Sequence, residues 1–123
     1  MTVDSSETLL QTAADLEKWS AKILKDAPLS KQQHTDIEVV LQATQQFQTF
    51  LRAELQIVDN FADADRAELQ RVRHQLLNHL NIIVGFTRII VRDLPDNLLM
   101  HMALIRKINE TGHGLIERVN ALR

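Results

Sequence analysis

Five histidines and no cysteine bound the nucleophilic chemistry open to this chain. One of them, His74, stands in a setting where an imidazole can react. At 100° per residue, the stretch around it reads as a helix with Leu69, Val72, Leu76, Leu80, Ile83, Phe86 and Ile90 on one side. Gln70, His74, Asn78, Asn81, Gly85, Arg88 and Arg92 fall on the other. His74 is therefore expected to face water, one turn before Asn78, on a stripe with no large apolar side chain. An imidazole in water is largely neutral near pH 7 and keeps a free lone pair, so it can act as a nucleophile. His79 lies near the apolar side and reads as a core-edge residue making one hydrogen bond. His34, His101 and His113 share no ligand spacing with a carboxylate or with one another, so no metal site is expected. Met100 and Met102 read as packing.

The rest of the chain is built to carry that helix. No stretch alternates apolar and polar residues long enough for a strand, and an all-α fold follows. Asp4 and Glu7 form a capping pair for a first helix with the stripe Leu9, Ala13, Leu16, Ile23 and Leu24, and Trp19 near its edge. This helix should end near Asp26, because Ala27 precedes Pro28. Ser30 and Gln33 form a capping box for a second helix, which runs towards Val58 through Ile37, Val40, Leu41, Phe47, Leu51 and Leu55. Its many glutamines read either as a solvated face or as a surface for assembly. Asp59, Asn60, Asp63 and Asp65 are better caps than helix-interior residues, so a break around 60–63 is preferred to one long rod; helices beyond ~25 residues are uncommon in globular domains. The third helix ends around Arg92. Pro95 then stops it, and Asp96 caps a fourth helix running from Asn97 to the C-terminus. The fourth stripe is Leu98, Met102, Ile105, Ile108, Leu115, Val119 and Leu122, with Gly112 and Gly114 inside it. A glycine on the inward side permits close helix approach.

The bulk numbers exclude several classes. At 123 residues the chain is one domain with an appended element, long enough to bury a real core. Without cysteine there is no disulfide or thiolate site. A net charge of −2 and the lack of a basic patch argue against a nucleic-acid binder. The first residues lack the basic and apolar regions of a signal peptide, and no apolar run approaches ~18 residues, so no membrane span is expected and the cytoplasm is the expected compartment.

The stretch His74-Gln75-Leu76-Leu77-Asn78-His79-Leu80-Asn81-Ile82-Ile83-Val84-Gly85-Phe86 resembles the phosphoacceptor box of sensor histidine kinases, which reads His-Glu-Leu-Arg-Asn/Thr-Pro-Leu followed by an apolar run ending in Gly and an aromatic. A second run, Ile108-Asn109-Glu110-Thr111-Gly112-His113-Gly114-Leu115-Ile116-Glu117-Arg118-Val119-Asn120, is similar to the family's Ile-x-x-Ser-Gly-x-x-Leu-Leu-x-Leu-Ile-Asn. The resemblance spans about 65–123. It implies a dimerising, phosphoacceptor helical hairpin over 63–123, preceded by a two-helix extension over 1–62. The apolar arc of the third helix is too wide for a hairpin to cover, so a four-helix bundle is needed. Two hairpins from two chains can supply it, or the first two helices can fold back within one chain; the resemblance favours the homodimer.

By the same resemblance His74 takes a phosphoryl group and Asn78 holds the position that orients water for removing phosphate from a receiver. Arg71, Gln75, Asn81 and Gly85 are candidate docking residues around them. Arg71, Arg73, Arg88 and Arg92 read either as a solvated face or as contacts for a receiver's phosphorylated site. The implied partner is a response-regulator receiver domain, which carries the Mg²⁺; no cofactor of the chain's own is expected. The box also departs from the family. Gln75 replaces the acidic residue that sharpens the imidazole, Leu77 replaces a basic residue, and His79 replaces the proline. No length remains for an ATP-binding domain and no Gly-rich nucleotide loop appears, so an autonomous kinase is not expected. Three readings stay open: a phosphorelay protein using His74, a receiver phosphatase using Asn78, and a non-catalytic adaptor of the same fold with a vestigial histidine.

Overall fold

A computed structural model describes residues 6–94 and 98–122. Its elements are all helical: α1 (Ser6–Asp26), α2 (Lys31–Ala53), α3 (Leu55–Asp59), a 3-10 turn (Phe61–Asp63), α4 (Arg66–Asp93) and α5 (Leu99–Asn120). The expected caps Asp4 and Asp96, the stop at Pro95 and the start at Asn97 lie outside the described residues.

Local signals set several helix ends. α1 stops at Asp26, ahead of Ala27 and Pro28. α2 opens on the expected capping box: the Gln33 amide donates to Ser30 Oγ at 3.1 Å, and the Ser30 amide donates to Gln33 Oε1 at 3.0 Å. The start of α1 is also held from a distance, since the Ser6 amide donates to Asp59 Oδ1 at 3.0 Å. The break before α4 is present and wider than 60–63. It begins at Glu54, whose amide bonds the carbonyls of Phe50 and Leu51, and it runs through α3 and the 3-10 turn to Asp65. Asn60 competes with helix continuation by donating its side-chain amide to the Gln56 carbonyl at 3.0 Å. Val58 and Phe61, both buried, pin the break to the core.

Each long helix buries one stripe stepped by three and four residues. α1 buries Leu9, Ala13, Leu16, Ser20 and Ile23; α4 buries Val72, Leu76, Leu80, Ile83, Thr87 and Ile90; α5 buries Ile105, Ile108, Gly112, Leu115 and Val119. Burying each such Leu, Ile or Val side chain is worth about 1.5–3 kcal/mol against leaving it in water. Buried hydroxyls are satisfied locally, as in Ser20 Oγ donating to the Leu16 carbonyl at 2.8 Å and Thr87 Oγ1 to the Ile83 carbonyl at 2.7 Å.

These stripes meet in one core, with α1 packed on α2 and α5, and α4 packed on α2 and α5. Neighbours run antiparallel. Gln48 and Gln45 of α2 both donate to the Glu17 carboxylate of α1, at 2.8 and 3.1 Å. Gln33 of α2 reaches the Asp93 carbonyl of α4 at 3.3 Å, and Arg118 of α5 donates to Thr12 Oγ1 at 3.2 Å. Lys107 of α5 places Nζ 4.5 Å from the ring centroid of Trp19 on α1. The glutamines of α2 are thus not all solvated, for Gln48 is buried against Glu17.

Of the two sources considered for the four helices, the described residues show the folded-back one. The bundle is completed within one chain, because α1 and α2 fold back over the apolar arc of α4 and α5 that a second hairpin was expected to cover. The halves 1–62 and 63–123 share that core. Among the described residues, no helix is long and apolar enough to cross a membrane.

Candidate functional site: the outer face of α4

α4 is a 28-residue helix whose inward stripe is fixed by six buried side chains. Helical geometry then assigns the outward stripe without further choice. His74, Asn78 and Asn81 are exposed, Gly85 is half-buried, and Arg88 and Arg92 are exposed further along. Gln75 is exposed beside His74. Among the described residues, the side chains of His74, Gln75, Asn78 and Asn81 have no hydrogen-bond or ion-pair partner within the chain. Their polar atoms are therefore open to water or to another molecule. The side chains of positions four apart share a face, so the His74 imidazole and the Asn78 amide can address one bound group. The edges of the predicted apolar side, Leu69 and Phe86, are only half-buried, and Thr87 takes an inward place.

Of the four arginines near this face, three are engaged. Arg71 Nη1 donates to Glu54 Oε1 at 2.9 Å. That bond, ahead of other contributions, raises the guanidinium pKa above its ordinary value. Arg73 bonds the Leu122 carbonyl and lies 5.2 Å from the centroid of the Phe61 ring. Arg92 Nε pairs with Asp93 at 3.2 Å. Arg88 is exposed.

His79 departs from expectation. Its Nδ1 is buried with no hydrogen-bond partner among the described residues, and its ring stands 6.4 Å from that of Phe50 on α2. Burial pushes its pKa below the ordinary imidazole value. On the α5 side, by contrast, Asn109 Nδ2 donates to the Val84 carbonyl and to Thr87 Oγ1, both at 2.9 Å. Gly112 lies so close that a Cβ there would meet Val84 Cγ1 at 2.8 Å, whereas a Cβ at Gly85 or Gly114 meets nothing within 4 Å.

The site lies on an exposed helix face. Two shallow clefts lie at the broken end of the bundle, one lined by Gln56, Ile57, Asn60, Asp63, Ala64 and Glu68, the other by residues 52–57, and His74 borders neither. An exposed helix face does not by itself enclose a small substrate. No group of three or more His, Asp or Glu side chains suited to a metal ion occurs among the described residues. Sequence reasoning missed Glu54 as the partner of Arg71 and Asn109 as the bond between α4 and α5. The first pairing crosses a helix break and the second a turn, and neither leaves a periodic signal.

No family model, no curated protein and no solved structure matches the chain.

Proposed function

We propose that this protein is a phosphorelay module of two-component signalling, which docks a response-regulator receiver domain along the outer face of α4 and carries a phosphoryl group on His74. The observation that supports this best is the position of His74: exposed, without an internal partner, on a helix whose other side is locked into the core. In the step itself a nitrogen lone pair of His74 attacks the phosphorus of the receiver's aspartyl phosphate. The P–N bond forms as the P–O bond to the aspartate breaks, the carboxylate leaves, and the imidazolium so formed releases its remaining ring proton to water. Phosphoryl transfer is governed by in-line positioning and charge neutralisation, and the receiver's Mg²⁺ supplies the second. In this reading Asn78, one turn on, hydrogen-bonds the transferring group. Arg71, Gln75, Asn81 and Gly85 form the docking surround, and the cytoplasm is the compartment this partner class implies.

A second reading, an adaptor that docks a receiver without chemistry, is favoured by Gln75, Leu77 and His79 standing where the resembling family has acidic, basic and proline residues. A phosphatase role for Asn78 is the third. Incubation with a phosphorylated receiver separates them. Acid-labile label on the wild type but not on His74→Gln supports the relay. Loss of receiver phosphate without label, abolished by Asn78→Ala, supports the phosphatase. Complex formation alone leaves the adaptor. A homodimer in this reading joins complete bundles rather than sharing a core; light scattering at twice the chain mass supports it and the chain mass refutes it.

A further inference from the structure

On a helix surface the neighbours of His74 are three and four residues away. One of them is a cation, Arg71, which is already committed to Glu54 at 2.9 Å. Its side chain is 48% exposed and that of Glu54 18%, so the arginine is the outer member of the pair and the carboxylate the inner one. Glu54 also closes α2 and opens α3. The pair therefore fastens the broken end of the bundle to the first turns of α4. Arg73, though adjacent to His74 in sequence, lies off its face and is engaged by Leu122 and Phe61.

We propose that Arg71 is a two-position latch: it holds Glu54 while His74 is bare and turns to the phosphoryl group once His74 carries one. The inference rests on the phosphorelay reading of His74. A phosphoryl group brings close to two negative charges and several acceptor oxygens where Glu54 offers one charge, and the planar fork of a guanidinium matches it. When Arg71 leaves, Glu54 is a part-buried carboxylate without its cation. Water satisfies it best, and water reaches it as α3 lifts from α4. The occupied state of His74 is thereby reported to the N-terminal half of the chain.

The test is amide hydrogen exchange on the whole chain, with no receiver present. His74→Glu places a standing carboxylate three residues from Arg71. The amides of Glu54 and Val58, bonded to Phe50, Leu51 and Glu54 carbonyls, are the reporters. The latch predicts exchange roughly two- to fivefold faster there in His74→Glu and no change in His74→Gln. Arg71→Gln is expected to speed the same amides, and adding His74→Glu to it is expected to do nothing more. No acceleration in His74→Glu, or the same acceleration with Arg71 already replaced, overturns the latch. Neither result touches the relay itself, which is read from label on His74. An unlabelled His74 with an intact His74→Glu effect sinks the relay and spares the electrostatic exchange.

Discussion

α4 is gripped on both sides, and the two grips differ in kind. Against α5 the middle of the contact is close and directly bonded: Gly112 admits Val84 to within a methyl's reach, and Asn109 ties the Val84 carbonyl to the Thr87 hydroxyl. Against α2 it is loosely finished: the His79 Nδ1 is buried without a partner, Phe50 is half-buried beside it, and Arg71 and Glu54 pair where solvent reaches them. Steric fit is hard to undo in part, whereas an ion pair and an unsatisfied imidazole respond to charge. The bundle thus has one fixed side and one adjustable side around the same helix.

The largest break in this comparison is expected at the fixed side. Gly112→Val forces a β-branched side chain into Val84, which has one favoured rotamer in a helix, and should cost about 3 kcal/mol in urea unfolding. Asn109→Ala removes two hydrogen bonds and leaves the buried Thr87 hydroxyl with fewer partners; a loss of about 1–2 kcal/mol is expected by the same measurement. Gly85→Ala sharpens the contrast with the opposite sign. No atom stands near its added methyl, so a gain of up to about 1 kcal/mol is expected from helix propensity alone.

The smallest effect near neutral pH belongs to the adjustable side. Burial lowers the pKa of His79, so on acidification the folded chain takes up its proton later than the unfolded chain does. The contribution of this residue to stability is complete above the unfolded value of about 6.5 and is lost as pH falls below it. His79→Leu should change the urea midpoint little at about pH 8 and should flatten its decline towards about pH 5.5. An unchanged slope in the variant removes His79 as the cause.

What was legible in the sequence was what repeats or caps locally. The buried stripes of α1, α4 and α5, the Ser30–Gln33 box and the outward placing of His74 all follow from side-chain period and short-range bonding. Thr87 escaped because a threonine can occupy an apolar register when its hydroxyl bonds its own helix, as it does to Ile83. The break opened earlier than its acidic residues suggested, because Val58 and Phe61 hold it against the core through contacts distant in sequence. Nor do apolar stripes name their neighbours: four of them fit one chain folded back or two chains crossed, and tertiary packing decides between these. The pairing of Arg71 with Glu54 was hidden for the same reason.

Lys107 poised over Trp19 has a practical consequence. The chain holds a single tryptophan, and it sits where α1 meets α5, away from α4. Its emission is thus a built-in optical gauge of whether the first helix remains docked, readable without any added dye and without a second tryptophan to overlap it.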